Sequence, residues 1–176
     1  ILFFFVMIIQ FFRNPTRIAD NSDNHVLAPV DGKDGGKPGA NIRVAYLYNP
    51  NRVTLIGKEK GGSEEAARFV NGHLEKNPSR VDPTSVHFEK VRKSLAAEFD
   101  FKGERIVVIA NHLKSKLGDD AIYGSNQPSV ENTRPKRIEE AKILNAFIKE
   151  GLRQNPNLKF VLTGDFNDFE FSDSVK

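Results

Sequence analysis

Residues 105–112 read RIVVIANH, and nothing polar interrupts Ile106, Val107, Val108, Ile109 and Ala110. A strand with one wet face alternates apolar and polar side chains, so an unbroken apolar run predicts a central strand covered on both faces. That strand ends by delivering Asn111 and His112. Upstream, residues 95–101 (LAAEFDF) predict its partner. Between the two lies Lys102-Gly103-Glu104, a short connection with a central glycine that suits a hairpin. Downstream, Ile138, Ala141, Leu144, Ile148 and Leu152, joined by Phe147, recur at helical spacing with Lys and Glu on the other face, so 134–153 predicts an amphipathic helix. Asn155-Pro156 stops it. Residues 159–163 (KFVLT) then predict a second apolar strand that runs into Gly164-Asp165-Phe166-Asn167-Asp168.

Further out, 42–48 (IRVAYLY) reads as a buried strand closed by Asn49-Pro50-Asn51, and 53–56 as a continuation of the same sheet. Turn residues and charges over 57–83 predict a surface path with a short helix near 64–71. Asn, Asp, Gly and Pro over 14–40 predict a long surface loop. The apolar start, ILFFFVMIIQFF over 1–12, is shorter than the about 20 residues a membrane helix needs. No basic stretch precedes it and no small-residue cleavage site follows it, as a signal peptide would have. It reads as the remnant of a signal or anchor or as a misplaced gene boundary, ahead of a third reading as a buried strand.

The whole chain has 176 residues, 39% hydrophobic and 28% charged, a balance that gives one folded domain and excludes a disordered tail. We divide it into an apolar stretch and linker, 1–27, and a domain, 28–176. There is no cysteine, so thiolate zinc sites, disulfides and cysteine nucleophiles are excluded, and a metal would sit on oxygen and imidazole ligands. The net charge of +3 fits a polyanionic substrate without requiring one.

Both predicted strands end in polar clusters: Asn111, His112, Lys114, Ser115 and Lys116 after the first, and Asp165, Asn167 and Asp168 after the second. Strand ends are where folds commonly assemble sites. A carboxylate can orient or deprotonate water and share a hard cation, an amide and an imidazole can hold phosphate oxygens, and ammonium groups can offset developing charge. Each cluster alone has a plainer reading, as an Asn-Asp turn or a solvated edge of lysines. Together, each behind an apolar strand, they point to phosphodiester chemistry.

On these residues the chain resembles the endonuclease/exonuclease/phosphatase superfamily, the group of DNase I and exonuclease III. GDFND at 164–168 resembles its GDxN motif, and NHLKSK at 111–116 resembles the strand end bearing a histidine that accompanies it. DGKDGGKPGANIRVAYLYNPNRV, VRKSLAAEF, IANHLKSKLGDD, RIEEA and VLTGDFNDFEFS, in that order, resemble the secreted or cell-surface nucleases of bacterial type. The resemblance runs from about Ala28 to the end. It departs from the pattern at Ala40, Ser94 and Leu117, where the family tends to have Gly, Pro and Gly.

The resemblance implies an α+β, DNase I-like sandwich of two mainly antiparallel sheets with outer helices, present here in part. It implies magnesium-dependent hydrolysis of phosphodiesters, with manganese or calcium as alternatives, and a nucleic acid substrate, DNA before RNA. Asp165 would orient the attacking water or act as its base and touch the metal, Asn167 would help hold water and phosphate, and His112 would contact the scissile phosphate. Arg43, Arg92, Asn111, Lys114, Lys116 and Arg137 would line the substrate path, and Asp168 would serve the turn. The family's early metal-binding Glu, in a Leu-Gln-Glu type motif, and its late Asp-His pair have no counterpart, since Gln10 is followed by Phe11. The resemblance therefore implies a portion of a longer protein holding part of the active site. An inactive remnant that binds polyanions and a phosphatase of inositol phosphates or phospholipid head groups are the alternatives. A secreted or cell-surface location is expected, without a membrane span, and no protein partner is implied.

Overall fold

The computed structural model describes residues 6–11, 26–30, 32–35, 41–57 and 59–176, with side chains from Ala28 onward. The strands are β1 (Val6–Phe11), β2 (Val26–Pro29), β3 (Arg43–Tyr48), β4 (Thr54–Leu55), β5 (Phe69–Val70), β6 (His73–Leu74), β7 (Ser79–Arg80), β8 (Leu95–Phe101), β9 (Glu104–His112) and β10 (Lys159–Asp165). Helix α1 (Arg134–Gln154) lies between β9 and β10. One antiparallel sheet has the order β1-β3-β2, and a mixed sheet has the order β10-β9-β8-β4, with β7 also paired to β8.

The apolar run of β9 is resolved into two cores. Val108 and Ala110 join Leu95, Ala97 and Phe99 of β8 and Val44, Tyr46 and Tyr48 of β3 in the layer between the sheets. Val107 and Ile109 face the other way, where Leu144 and Phe147 of α1 and Phe69 and Leu74 of the β5–β6 hairpin cover them. Layers of sheet, sheet and helix make the α+β sandwich the resemblance implied. Tyr46 fastens the first core: its hydroxyl lies against the Leu95 and Val108 carbonyls, at 2.7 Å from the latter, and accepts from the Ala110 N–H. The β8–β9 hairpin closes on Lys102 and Gly103, φ +54° and +83°, the left-handed pair that a two-residue turn between twisted strands requires.

Several expectations change. Val6–Phe11 is strand, antiparallel to β3. The expected loop over 14–40 contains β2, and its residues 14–25, 31 and 36–40 lie outside the described ones. Residues 53–56 do not extend the β3 sheet, because Thr54 and Leu55 cross to pair with β8. The stretch 57–83 is largely exposed over 59–68 and then enters the core, and it has no helix near 64–71. Phe69, Leu74, Asn77, Ser79, Arg80 and Val81 are buried, and Glu98 at the floor of β8 accepts from the Leu74 N–H at 2.9 Å and lies 3.0 Å from His73 Nδ1. The hairpin is thus held by a buried carboxylate that only long-range folding supplies. No helix among the described residues is long and apolar enough to cross a membrane.

Candidate active site

The helix between β9 and β10 acts as a crossover, and β10 returns parallel to β9 in a register that sets Asp165 opposite His112 and Gly164 opposite Asn111. The two polar clusters are therefore neighbours at one end of the sheet. His112 Nε2 lies 3.8 Å from Asp165 Oδ2, the imidazole nearly buried and the carboxylate more than half exposed. The Leu113 N–H donates to the Asp165 carbonyl at 3.0 Å, which carries the pairing one step past the strands.

Asn167 adopts φ +52°, a left-handed conformation that asparagine tolerates better than most residues. Its N–H donates to Asp165 Oδ1 at 2.8 Å and its Nδ2 to the Leu113 carbonyl at 2.9 Å. The amide thus locks the turn after β10 onto the end of β9, and with it the direction of the Asp165 carboxylate.

Arg92, just before β8, brings its charge to bear on both His112 and Asp165, and its Nε is buried with no hydrogen-bond partner. Burial lowers the His112 pKa below the ordinary value and the Arg92 cation lowers it further, while Asp165 opposes both. His112 is therefore mainly neutral at neutral pH. A neutral imidazole beside a guanidinium can donate to an anionic oxygen or exchange a proton with it.

Arg43 opens β3 beside a cluster that sequence reasoning missed. Asp34 is buried, 3.1 Å from Arg80 and 3.7 Å from Lys93, and its charge reaches both Arg43 and Arg92. Burial pushes the Asp34 carboxyl up, against these cations. Asp34 lies in the stretch whose composition predicts a surface loop, and Arg80 in the one predicted as a surface path; no local signal marks a pair 46 residues apart.

Other expected site residues stand elsewhere. Asn111 is fully buried, and its Nδ2 is used on the Ile109 and Thr163 carbonyls at 3.0 and 3.4 Å, so its side chain stays within the sheet. Arg137 is also fully buried, 3.1 Å from Asp168 and 3.3 Å from Asp119, and hydrogen-bonded to Thr133. It offers no open cation to a passing polyanion, because it joins α1 to the two loops at the sheet end. Lys116 lies 2.8 Å from Asp168, and Lys114 Nζ donates to the Ser115 carbonyl. Asp168 is a hub. Burial alone would raise its carboxyl, but hydrogen bonds from Lys116, Ser174, Ser172 and Arg137 hold it well below the usual carboxylate range.

Glu140 of α1 supports the loop after His112. Its Oε2 accepts the Lys114 N–H at 2.8 Å, its Oε1 is buried without a partner, and burial pushes its pKa from the ordinary 4.5 up to about 7. The folded chain keeps this proton where the unfolded chain releases it, so the contribution to stability is full below pH 4.5 and lost as pH rises through about 7. Glu140→Gln keeps an acceptor for Lys114 and cannot ionise. Urea unfolding should show the variant more stable than the parent at about pH 8, by up to about 3 kcal/mol, and close to it at about pH 5. An equal difference at both values would refute the buried acid.

The model of the Endonuclease/Exonuclease/phosphatase family matches residues 67–176. Among solved structures, D. rerio TDP2 complexed with single strand DNA product matches 97% of this chain and 50% of its own, at 15% identity and TM-score 0.54. The human Nocturnin catalytic domain with bound sulfate anion matches 97% of this chain and 54% of its own, at 10% identity and TM-score 0.55. The chain thus spans about half the length of these structures. The phosphatidylserine decarboxylase proenzyme of Cytophaga hutchinsonii is 50% identical over 32 residues, 18% of this chain and 14% of that protein. So short a match carries neither a fold nor an activity.

Proposed function

Because the chain belongs to the endonuclease/exonuclease/phosphatase family, we propose that it forms the phosphate-holding part of a magnesium-dependent phosphodiesterase that hydrolyses nucleic acid, DNA first. One observation carries the reading: the parallel register of β9 and β10 brings His112 to within 3.8 Å of Asp165, where the Arg92 charge bears on both. A diester needs an attacking water, a grip on its non-bridging oxygens and an answer to the negative charge that builds on them. The exposed Asp165 carboxylate orients or deprotonates the water, the neutral His112 N–H holds a phosphate oxygen, and Arg92 offsets the charge. Asn167 acts by keeping the Asp165 turn against Leu113.

Among the described residues no three His, Asp or Glu side chains gather as a ready cage. Magnesium is held by one or two carboxylates, completing its shell with water and phosphate oxygens, and the open Asp165 carboxylate fits that minimal donor set. When bound, the cation supplies Lewis-acid charge to the phosphate and lowers the cost of ionising the water. Nucleic acid is favoured by the net charge of +3 and by the DNA product bound to the structurally similar TDP2.

One rival is an inactive polyanion binder. The test is cleavage of DNA by the full-length protein with magnesium, with a chelator, and with excess magnesium restored. Cleavage that stops and returns supports the proposal. Binding that weakens with salt and never leads to cleavage establishes the rival. Release of phosphate from an inositol phosphate or phospholipid head group, with DNA left intact, would move the chemistry to that substrate class.

A further inference from the structure

Immediately after Asn167 the chain exposes two aromatic rings that neither core uses. Phe169 and Phe171 stack on each other with centroids 5.2 Å apart and planes within 8°, yet remain 41% and 62% exposed. Lys116 Nζ sits 4.2 Å from the centre of the Phe169 ring while ion-paired to Asp168 at 2.8 Å. Water-exposed phenylalanines cost free energy, and pairing them hides one face of each at most.

The turn that bears the rings is held from several sides. The Phe169 N–H and the Ser172 hydroxyl donate to Asp168 Oδ1 at 3.1 and 2.9 Å, the Ser174 hydroxyl to Oδ2 at 2.7 Å, and the Ser172 N–H to the Phe169 carbonyl at 3.0 Å. The same Asp168 carries Arg137 of α1. A flat apolar surface fixed in advance loses little conformational entropy when a flat ligand settles on it. Its place in the sequence is two and four residues beyond Asn167, whose amide is fastened to the end of β9. A planar group that tolerates the neighbouring Lys116 fits such a surface, and a nucleobase tethered to a phosphate is one.

We propose that Phe171, backed by Phe169 and Lys116, is a stacking platform for an unpaired nucleobase next to the phosphate held at His112 and Asp165, so that the site prefers single-stranded or frayed nucleic acid to an intact duplex. The inference rests on the phosphodiesterase reading for the identity of the neighbouring phosphate. Every base has a π-face, so the platform is indifferent to sequence.

The experiment compares binding, in a chelator, of a single-stranded oligonucleotide and of an abasic strand of equal length, with magnesium-dependent hydrolysis measured separately. The chain should bind the base-bearing strand about tenfold more tightly than the abasic one. Phe171→Leu should remove that preference and leave affinity for the abasic strand unchanged, and Phe171→Trp should keep it. Both substitutions fall on an exposed ring, and unchanged circular dichroism verifies the fold. Equal affinity of the parent chain for the two strands, or an undiminished preference in Phe171→Leu, overturns the platform and leaves the hydrolytic reading standing. A base preference lost in Phe171→Leu but unaccompanied by hydrolysis in the full-length protein upholds the platform and removes the phosphodiesterase.

Discussion

Gly164→Ala should be severely damaging, costing about 3 kcal/mol or more of stability and the site geometry with it. Gly164 has φ +124°, and a Cβ placed on it would lie 2.0 Å from the Asn111 carbonyl oxygen. That oxygen belongs to β9 at the position paired with Gly164, so neither strand can yield without breaking the register that sets Asp165 beside His112. Two effects add: the left-handed backbone that a β-carbon disfavours, and a clash with backbone that no rotamer change relieves. Gly103→Ala separates them. Gly103 has φ +83° but nothing within 4 Å of its added Cβ, so it should cost only about 1 kcal/mol, the strain without the clash. Urea midpoints for the two variants measure the difference. A Gly164→Ala chain as stable as Gly103→Ala would mean that β9 and β10 are not seated as closely as the site requires.

The same seam shows how far the sequence carries. Burial on both faces of β9 was legible because five consecutive apolar residues have no other use, and α1 was legible from the spacing of Ile138, Ala141, Leu144 and Ile148. That both strand-end clusters share one edge was not written in either cluster; it follows from the helix between them, which turns β10 parallel to β9. Arg92 was legible as a basic position and lies with the site. Arg137 carried the same kind of signal and is buried, because its partners Asp119 and Asp168 lie 18 and 31 residues away and only folding brings them to it. Buried charge was the general blind spot. Asp34, Arg80 and Glu98 sit in polar, turn-rich or alternating stretches, where composition argues for water and the ion pairs that permit burial are nonlocal.

Asp165→Asn should reduce hydrolysis roughly a thousandfold while leaving the fold intact. The isosteric amide keeps an oxygen where Asp165 Oδ1 accepts the Asn167 N–H at 2.8 Å, so the turn closes as before. What disappears is the negative charge 3.8 Å from His112 Nε2, and with it both the base for water and the carboxylate donor to a cation. The substitution has a second consequence that needs no turnover. Burial and Arg92 lower the His112 pKa, and Asp165 is the group that raises it. Removing the anion must therefore lower His112 further, which proton NMR of the imidazole reads directly as a titration shifted to more acidic pH. The window has a definite sign for stability too: a base depressed in the folded state favours unfolding as it charges, so from pH 6.5 downward the variant should lose more stability than its parent and continue losing it to lower pH. If His112 titrates identically in the parent and in Asp165→Asn, the imidazole and the carboxylate do not face each other, and a role for either in holding the phosphate would have to be built from other residues.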